Sequence, residues 1–149
     1  MSTLFKNEST LLRFGLTEET ISKYDVICLP ENLEAATEAS ELFDANHSIN
    51  FSKLLKEAGV KCANSYDLNL QAKVFERRSE DLWLGYIYVA NTLIIPYIVN
   101  VLATLTTNSI DKGTNTTKQV HLKLKTKMIR KLEYDGDGET LIEILKTLK

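Results

Sequence analysis

Apolar positions along this chain change period several times, and each change marks an element. Tyr24-Asp25-Val26-Ile27-Cys28-Leu29 is a short, β-branched apolar run stopped by Pro30, the pattern of a buried strand. Beyond it, Asn32 is placed to cap a helix whose inner face carries Leu33, Ala36, Ser40 and Phe43. Ser48 caps a second helix with Phe51, Leu54, Leu55 and Ala58 inward, and Gly59 ends it where a left-handed residue is needed. Residues 60–63 start another strand. Strand, helices and strand in this order predict a parallel pair joined by a right-handed crossover. Upstream, residues 1–22 form a polar arm in which a helical turn over 17–21 docks Leu11, Leu12, Phe14 and Leu16.

Residues 82–110 contain no charged side chain. Read at the helical period they are one long helix, capped by Ser79, with Glu80 and Asp81 at its positive end and a kink at Pro96. Residues 111–119 are a polar linker with turn chemistry. Val120, Leu122 and Leu124 then alternate with His121, Lys123, Lys125 and Lys127, a half-buried strand of period two. Leu132 and Tyr134 continue the alternation on a hairpin partner, Asp135-Gly136-Asp137-Gly138 is a turn, and residues 139–148 form a helix with Leu141, Ile144, Leu145 and Leu148 inward. The sum is one mixed α/β (α+β) domain over 1–149, in the order β-α-α-β-long α-β-β-α, with a small sheet packed on the long apolar helix.

That helix has three settings open to it: core, interface or membrane. About 20 apolar residues cross a bilayer, and 82–105 has that length. Trp83, Tyr86 and Tyr88 suit an aromatic belt, while Asn91 and Asn100 near the middle count against a span. Gly85, Thr92, Pro96, Asn100 and Thr104, spaced seven, four, four and four apart, form a small or polar stripe along it. In a membrane such a stripe lets helices approach closely; in a water-exposed domain it is the narrow edge facing solvent, a sheet or a partner.

Charge adds a second theme. Residues 1–81 carry 9 Lys/Arg against 14 Asp/Glu, and residues 106–149 carry 9 against 6, within a net charge of −2. Glu31, Glu34, Glu38 and Glu41 recur at three, four and three residues, an acidic stripe on the first helix that invites a basic partner. Lys123, Lys125 and Lys127 make a basic face on the hairpin, able to meet that stripe in a neighbouring copy. Sheets that bind nucleic acid interleave aromatics for stacking, and the pattern places none on this face, which argues against nucleic acid.

Catalytic chemistry finds little support. A phosphate cradle needs glycine where strand turns to helix, and Leu29-Pro30-Glu31-Asn32 has none. His47 and His121 lack Cys, Asp or His neighbours at ligand spacing, and the Asp135–Glu139 stretch departs from a calcium loop, so neither metal nor other cofactor is expected. Cys28 and Cys62 read as reduced, buried small hydrophobes. Glu31, at the mouth of the first strand, is the single candidate for an acid or base. The N-terminus lacks a basic region followed by an apolar core, which favours the cytoplasm.

The reading that follows is a non-enzymatic interaction or accessory subunit, self-associating or binding a partner protein through its long apolar helix. Its general look is compatible with accessory or effector proteins of bacterial defence systems, with no motif to carry a family match. Two alternatives stay open: a single-pass membrane protein with a cytoplasmic α/β domain, and a small hydrolase or transferase with its site near Glu31.

Overall fold

The computed structural model describes residues 14–77, 81–107, 119–126 and 132–147. A short helix α1 (Glu18–Ile21) leads into β1 (Val26–Leu29). After a loop and a 3-10 turn (Ala39–Glu41) come β2 (Phe43–Ala45), α2 (Ser48–Glu57), β3 (Cys62–Ala63) and β4 (Lys73–Phe75). Then follow β5 (Leu82–Val89), a 3-10 turn (Thr92–Ile94), α3 (Ile95–Thr107), β6 (Gln119–Thr126), β7 (Leu132–Asp137) and α4 (Gly138–Lys146). The main sheet has the order β3-β1-β5-β6-β7, and β2 and β4 form a separate parallel pair. β1 runs parallel to β3, as expected, and antiparallel to β5; β5 is parallel to β6, and β6 and β7 make the expected antiparallel hairpin.

The mixed α+β class holds, with an apolar helix packed on the sheet, but the uncharged stretch divides. Its first part, Leu82–Val89, is the central strand β5, and only from Ile95 is it helical. Leu-Trp-Leu-Gly-Tyr-Ile-Tyr-Val is rich in aromatic and β-branched residues, and a strand covered on both faces loses the alternation that would distinguish it from a buried helix. Pro96 consequently sits in the first turn of α3, where its missing N–H costs nothing, and makes no kink. Among the described residues no helix is long and apolar enough to cross a membrane. The 13 residues of α3 reach about 20 Å, short of a bilayer core of about 30 Å, so the span over 82–105 is set aside.

The helix expected after Asn32 is also absent. The Asn32 amide donates to the Glu41 carbonyl at 2.9 Å and accepts from the Phe43 N–H at 3.0 Å, closing residues 32–43 into a loop. Leu33 and Ala36 are still buried, while Ser40 is exposed and Phe43 opens β2. α2 forms, but Ser48 is its first helical residue and His47 occupies the N-cap position; Phe51 and Leu55 are inward as expected, Ala58 is exposed instead, and Gly59 at φ 91° ends the helix. Asp135-Gly136-Asp137-Gly138 is not a free turn: β7 runs straight into α4, whose first turn is capped by the Asp137 carboxylate accepting from Thr140 N–H at 2.9 Å. The arm over 1–13, the Ser79 cap, residues 111–118 of the linker, Lys127 and Leu148 lie outside the described residues.

One glycine decides how the sheet is covered. Leu82 and Leu84 face a core shared with Phe51 and Leu55 of α2, Ile98 and Leu102 of α3, and Leu141 and Leu145 of α4. A bulge then shifts the pairing with β6 between Trp83 and Gly85, and beyond it Ile87 and Val89 continue on the helical side. Tyr86 and Tyr88 turn to the opposite side, into a core with Leu16, Ile21, Leu33, Leu42 and Leu70. Without the extra residue the tyrosines would exchange sides with Ile87 and Val89. Gly85 holds φ 76°, and a Cβ there would lie 3.3 Å from Ala45 Cβ. Gly85→Ala is therefore expected to cost about 1–3 kcal/mol of unfolding free energy. Gly59→Ala, at a helix end with nothing within 4 Å, should cost less; chemical denaturation of both variants checks the order.

Candidate functional site

On the side of the sheet away from the helices, the covering layer ends over β5 and leaves a polar tract on β6 and β7. Arg77, just after β4, anchors it: its guanidinium donates to both Glu31 carboxylate oxygens, at 3.0 and 2.6 Å. The same guanidinium lies 4.0 Å from the centre of the Trp83 ring and 4.8 Å from that of Phe75. The other face of Trp83 is taken by His121, with ring centres 3.8 Å apart and planes 12° from parallel. His121 is held in turn by Asp81 at Nε2 (2.8 Å) and Asp135 at Nδ1 (2.5 Å). Phe75, Arg77, Trp83 and His121 thus form a tiered stack in which carboxylates hold Arg77 and His121. A pocket of about 90 Å³ opens beside it, lined by Glu31, Trp83, Gly85, His121, Lys123 and Glu133 among others. The Trp83 Nε1 is buried without a hydrogen-bond partner.

The chemistry of this stack is that of a latch. Burial pulls the His121 pKa down, but the hydrogen bonds its ring donates to Asp81 and Asp135 outweigh it and leave it raised. With a carboxylate on each ring nitrogen the imidazolium is the favoured form, and no lone pair is left to act as a base. Glu31 stands at the mouth of β1 as expected, but both its oxygens are engaged by Arg77. The thiols of Cys28 and Cys62 lie 4.0 Å apart in the core. The Cys62 hydrogen bond and burial raise the Cys28 thiol well above its ordinary pKa, which suppresses the thiolate a nucleophile needs. Among the described residues no group of three or more His, Cys, Asp or Glu is arranged to hold a metal ion.

The acidic residues do not line one helix face, because the helix meant to carry them is a loop. Glu31 pairs with Arg77; Glu34 accepts a 3.5 Å bond from the Tyr86 hydroxyl; Glu41 accepts from Thr37 N–H, Thr37 hydroxyl and Glu38 N–H within the loop; Glu38 and Glu41 are exposed, Glu31 and Glu34 half-buried. Burial and the neighbouring Glu34 push the Tyr86 hydroxyl pKa far up. The basic face is partly neutralised as well, because β7 sets Glu133 opposite Lys123 and Asp135 opposite His121. Lys125 lies on the same side of β6. An aromatic does lie on this face, contrary to the sequence pattern: Trp83. Both sides of its ring are occupied, so it has no face to offer a base.

A second feature lies on the helical side. α2 and α3 leave a groove of about 210 Å³ lined by Leu54, Ala58, Tyr97, Asn100, Val101 and Thr104. Tyr97 on its wall is 45% exposed, and Leu93, one turn earlier in the 3-10 segment, is 81% exposed. Of the small or polar stripe, Asn100 and Thr104 line this groove and Pro96 is exposed one turn earlier, while Thr92 opens the preceding 3-10 turn. Gly85 is elsewhere, committed to the β5 bulge.

Comparison of the chain with family models, with curated proteins and with solved structures returns no match in any of the three. Function rests on the geometry alone.

The pieces that sequence reasoning missed are Arg77, Asp81, Trp83 and Asp135. Reading 82–89 as helix removed the neighbours that give each of them a role; the cross-strand pairs on β6 and β7 were the available signal. Two outcomes are expected. A pKa raised in the folded state stabilises the fold fully below the unfolded value of about 6.5, and that contribution disappears as pH rises through the folded value. Stability should therefore fall across that window in the wild type and much less in His121→Gln, read by denaturant unfolding between about pH 5 and pH 9. Glu31→Gln and Arg77→Ala, taken singly and together, should show a coupling of about 1–3 kcal/mol, since each side chain is only 20% exposed.

Proposed function

We propose that this chain is a non-enzymatic interaction subunit that binds a partner protein through the groove between α2 and α3. The observation that carries the reading is an exposed apolar pair beside that groove: Tyr97 on its wall and Leu93 one turn before it, next to the half-buried Leu54. Large apolar side chains left uncovered beside a concave surface are the usual mark of a partner site. Asn100 and Thr104 supply polar groups that fix the orientation of what binds. The polar tract on the other side serves the fold in this reading, since its histidine, its arginine and its tryptophan ring faces are already engaged. The unlinked thiols of Cys28 and Cys62 suit a reducing compartment, the cytoplasm.

Site-directed photo-crosslinking tests the surface. A photoreactive residue at Leu93 or Tyr97 is expected to give adducts with one and the same protein in cells, and the same residue at exposed Glu143 on α4 none. Asn100→Arg should abolish the adducts while leaving the thermal midpoint unchanged. Equal labelling from Glu143, or no adduct from either groove position, overturns the reading.

A further inference from the structure

β4 is the outer strand of its sheet. Among the described residues its one ladder neighbour is β2, paired in parallel as Phe43 with Lys73, Asp44 with Val74 and Ala45 with Phe75. β2 is itself tied to the body of the protein: Phe43 O accepts from Glu31 N–H, and the Asn46 side chain at its end accepts from Arg77 N–H at 2.9 Å. Lys73 N–H donates to Leu42 O at 3.2 Å. In a parallel ladder alternate residues turn to the same neighbour, so Lys73, Phe75 and Arg77 direct their backbone inward. Ala72, Val74 and Glu76 direct theirs outward. All three residues of β4 are exposed, and Val74 and Phe75, at 46% and 50%, are among the most exposed large apolar residues described. The Phe75 ring is nevertheless braced, 5.2 Å from Phe43 and under the Arg77 guanidinium. An open edge with a braced aromatic is a template for another strand.

We propose that this edge pairs with β4 of a second copy of the chain, antiparallel about a two-fold axis through Val74. Charge selects both the occupant and the register. Only registers that bring outward-facing residues together can form the ladder. Centring on residue 73 sets Lys73 opposite Lys73, and centring on residue 75 sets Lys73 opposite Arg77; like charges directly opposed are unfavourable. Centring on Val74 sets Val74 against Val74, Ala72 against Glu76, Lys73 against Phe75 and Gln71 against Arg77. No like charges stand directly opposite each other, since Lys73 of each copy is set against Phe75 of the other. This surface is separate from the α2/α3 groove, so the two proposals stand or fall independently. A ladder this short buries little area, so the dimer is weak and concentration-dependent.

Sedimentation velocity across a concentration series tests it. The wild type is expected to shift from monomer toward dimer as concentration rises. Val74→Lys and Val74→Glu each place like charges on the two-fold axis and should raise the dissociation constant by roughly tenfold or more. An equimolar mixture of the two variants should recover dimer, because residue 74 faces itself only in this register. Val74 is exposed, so both variants should keep the wild-type thermal midpoint, and Asn100→Arg, in the groove, should dimerise normally. A wild type that stays monomeric, a Val74→Lys variant that dimerises like the wild type, or a mixture that fails to recover dimer overturns the proposal.

Discussion

Everything in this fold depends on β5 being covered on two sides at once. The strand is central, paired with β1 on one edge and β6 on the other, and of its eight residues only Trp83 escapes full burial. Helices α2, α3 and α4 all lie against one side, and the loops around β1 supply the other cover. A flat strand of strict alternation would send Leu82, Leu84, Tyr86 and Tyr88 to one side together. The left-handed residue at Gly85 breaks that parity, giving the aliphatic residues to the helices and the tyrosines to the loop layer. Both cores are therefore set by one backbone angle.

Much of the class and several elements were legible beforehand. The parallel pairing of β1 with β3, the amphipathic α2 with its terminal glycine, the alternating β6 and the hairpin with β7 all follow from period and punctuation. The central strand was not, because burial on both sides erases the period that identifies a strand, and the uncharged run continues without a break into α3. The loop over 32–43 was hidden for a different reason. Glutamates at three- and four-residue spacing imitate a helix face, yet here they serve as separate partners, for Arg77, for Tyr86 and for the loop's own N–H groups. Spacing records where charges recur along the chain; it carries no information on which long-range partner claims each one.

The candidate site was legible in the same uneven way. Asn100 and Thr104 were singled out as part of a stripe and do line the α2/α3 groove, because their spacing is helical and that part of the chain is a helix. Gly85 belonged to the same arithmetic but lies in a strand, where a spacing of seven has no meaning. The stack from Phe75 to His121 draws on β4, β5 and β6. Its members are 46 residues or fewer apart in sequence, yet no local pattern joins them, since stacking is fixed only once the register of β5 against β6 is known.

The strand order also dictates when the protein can become whole. β1 and β3 meet early along the chain, but Ile27 pairs with Tyr88, and Leu82 pairs with Val120. Until the segment carrying β5 has been made, β1 offers an unpaired edge and the apolar side chains of both cores lack their common centre. Contacts this distant in sequence are slow to form, since the intervening chain must be closed into a loop first. During synthesis the first half of the chain is thus an exposed intermediate by construction, and its arrival at a closed fold waits on the emergence of a single strand.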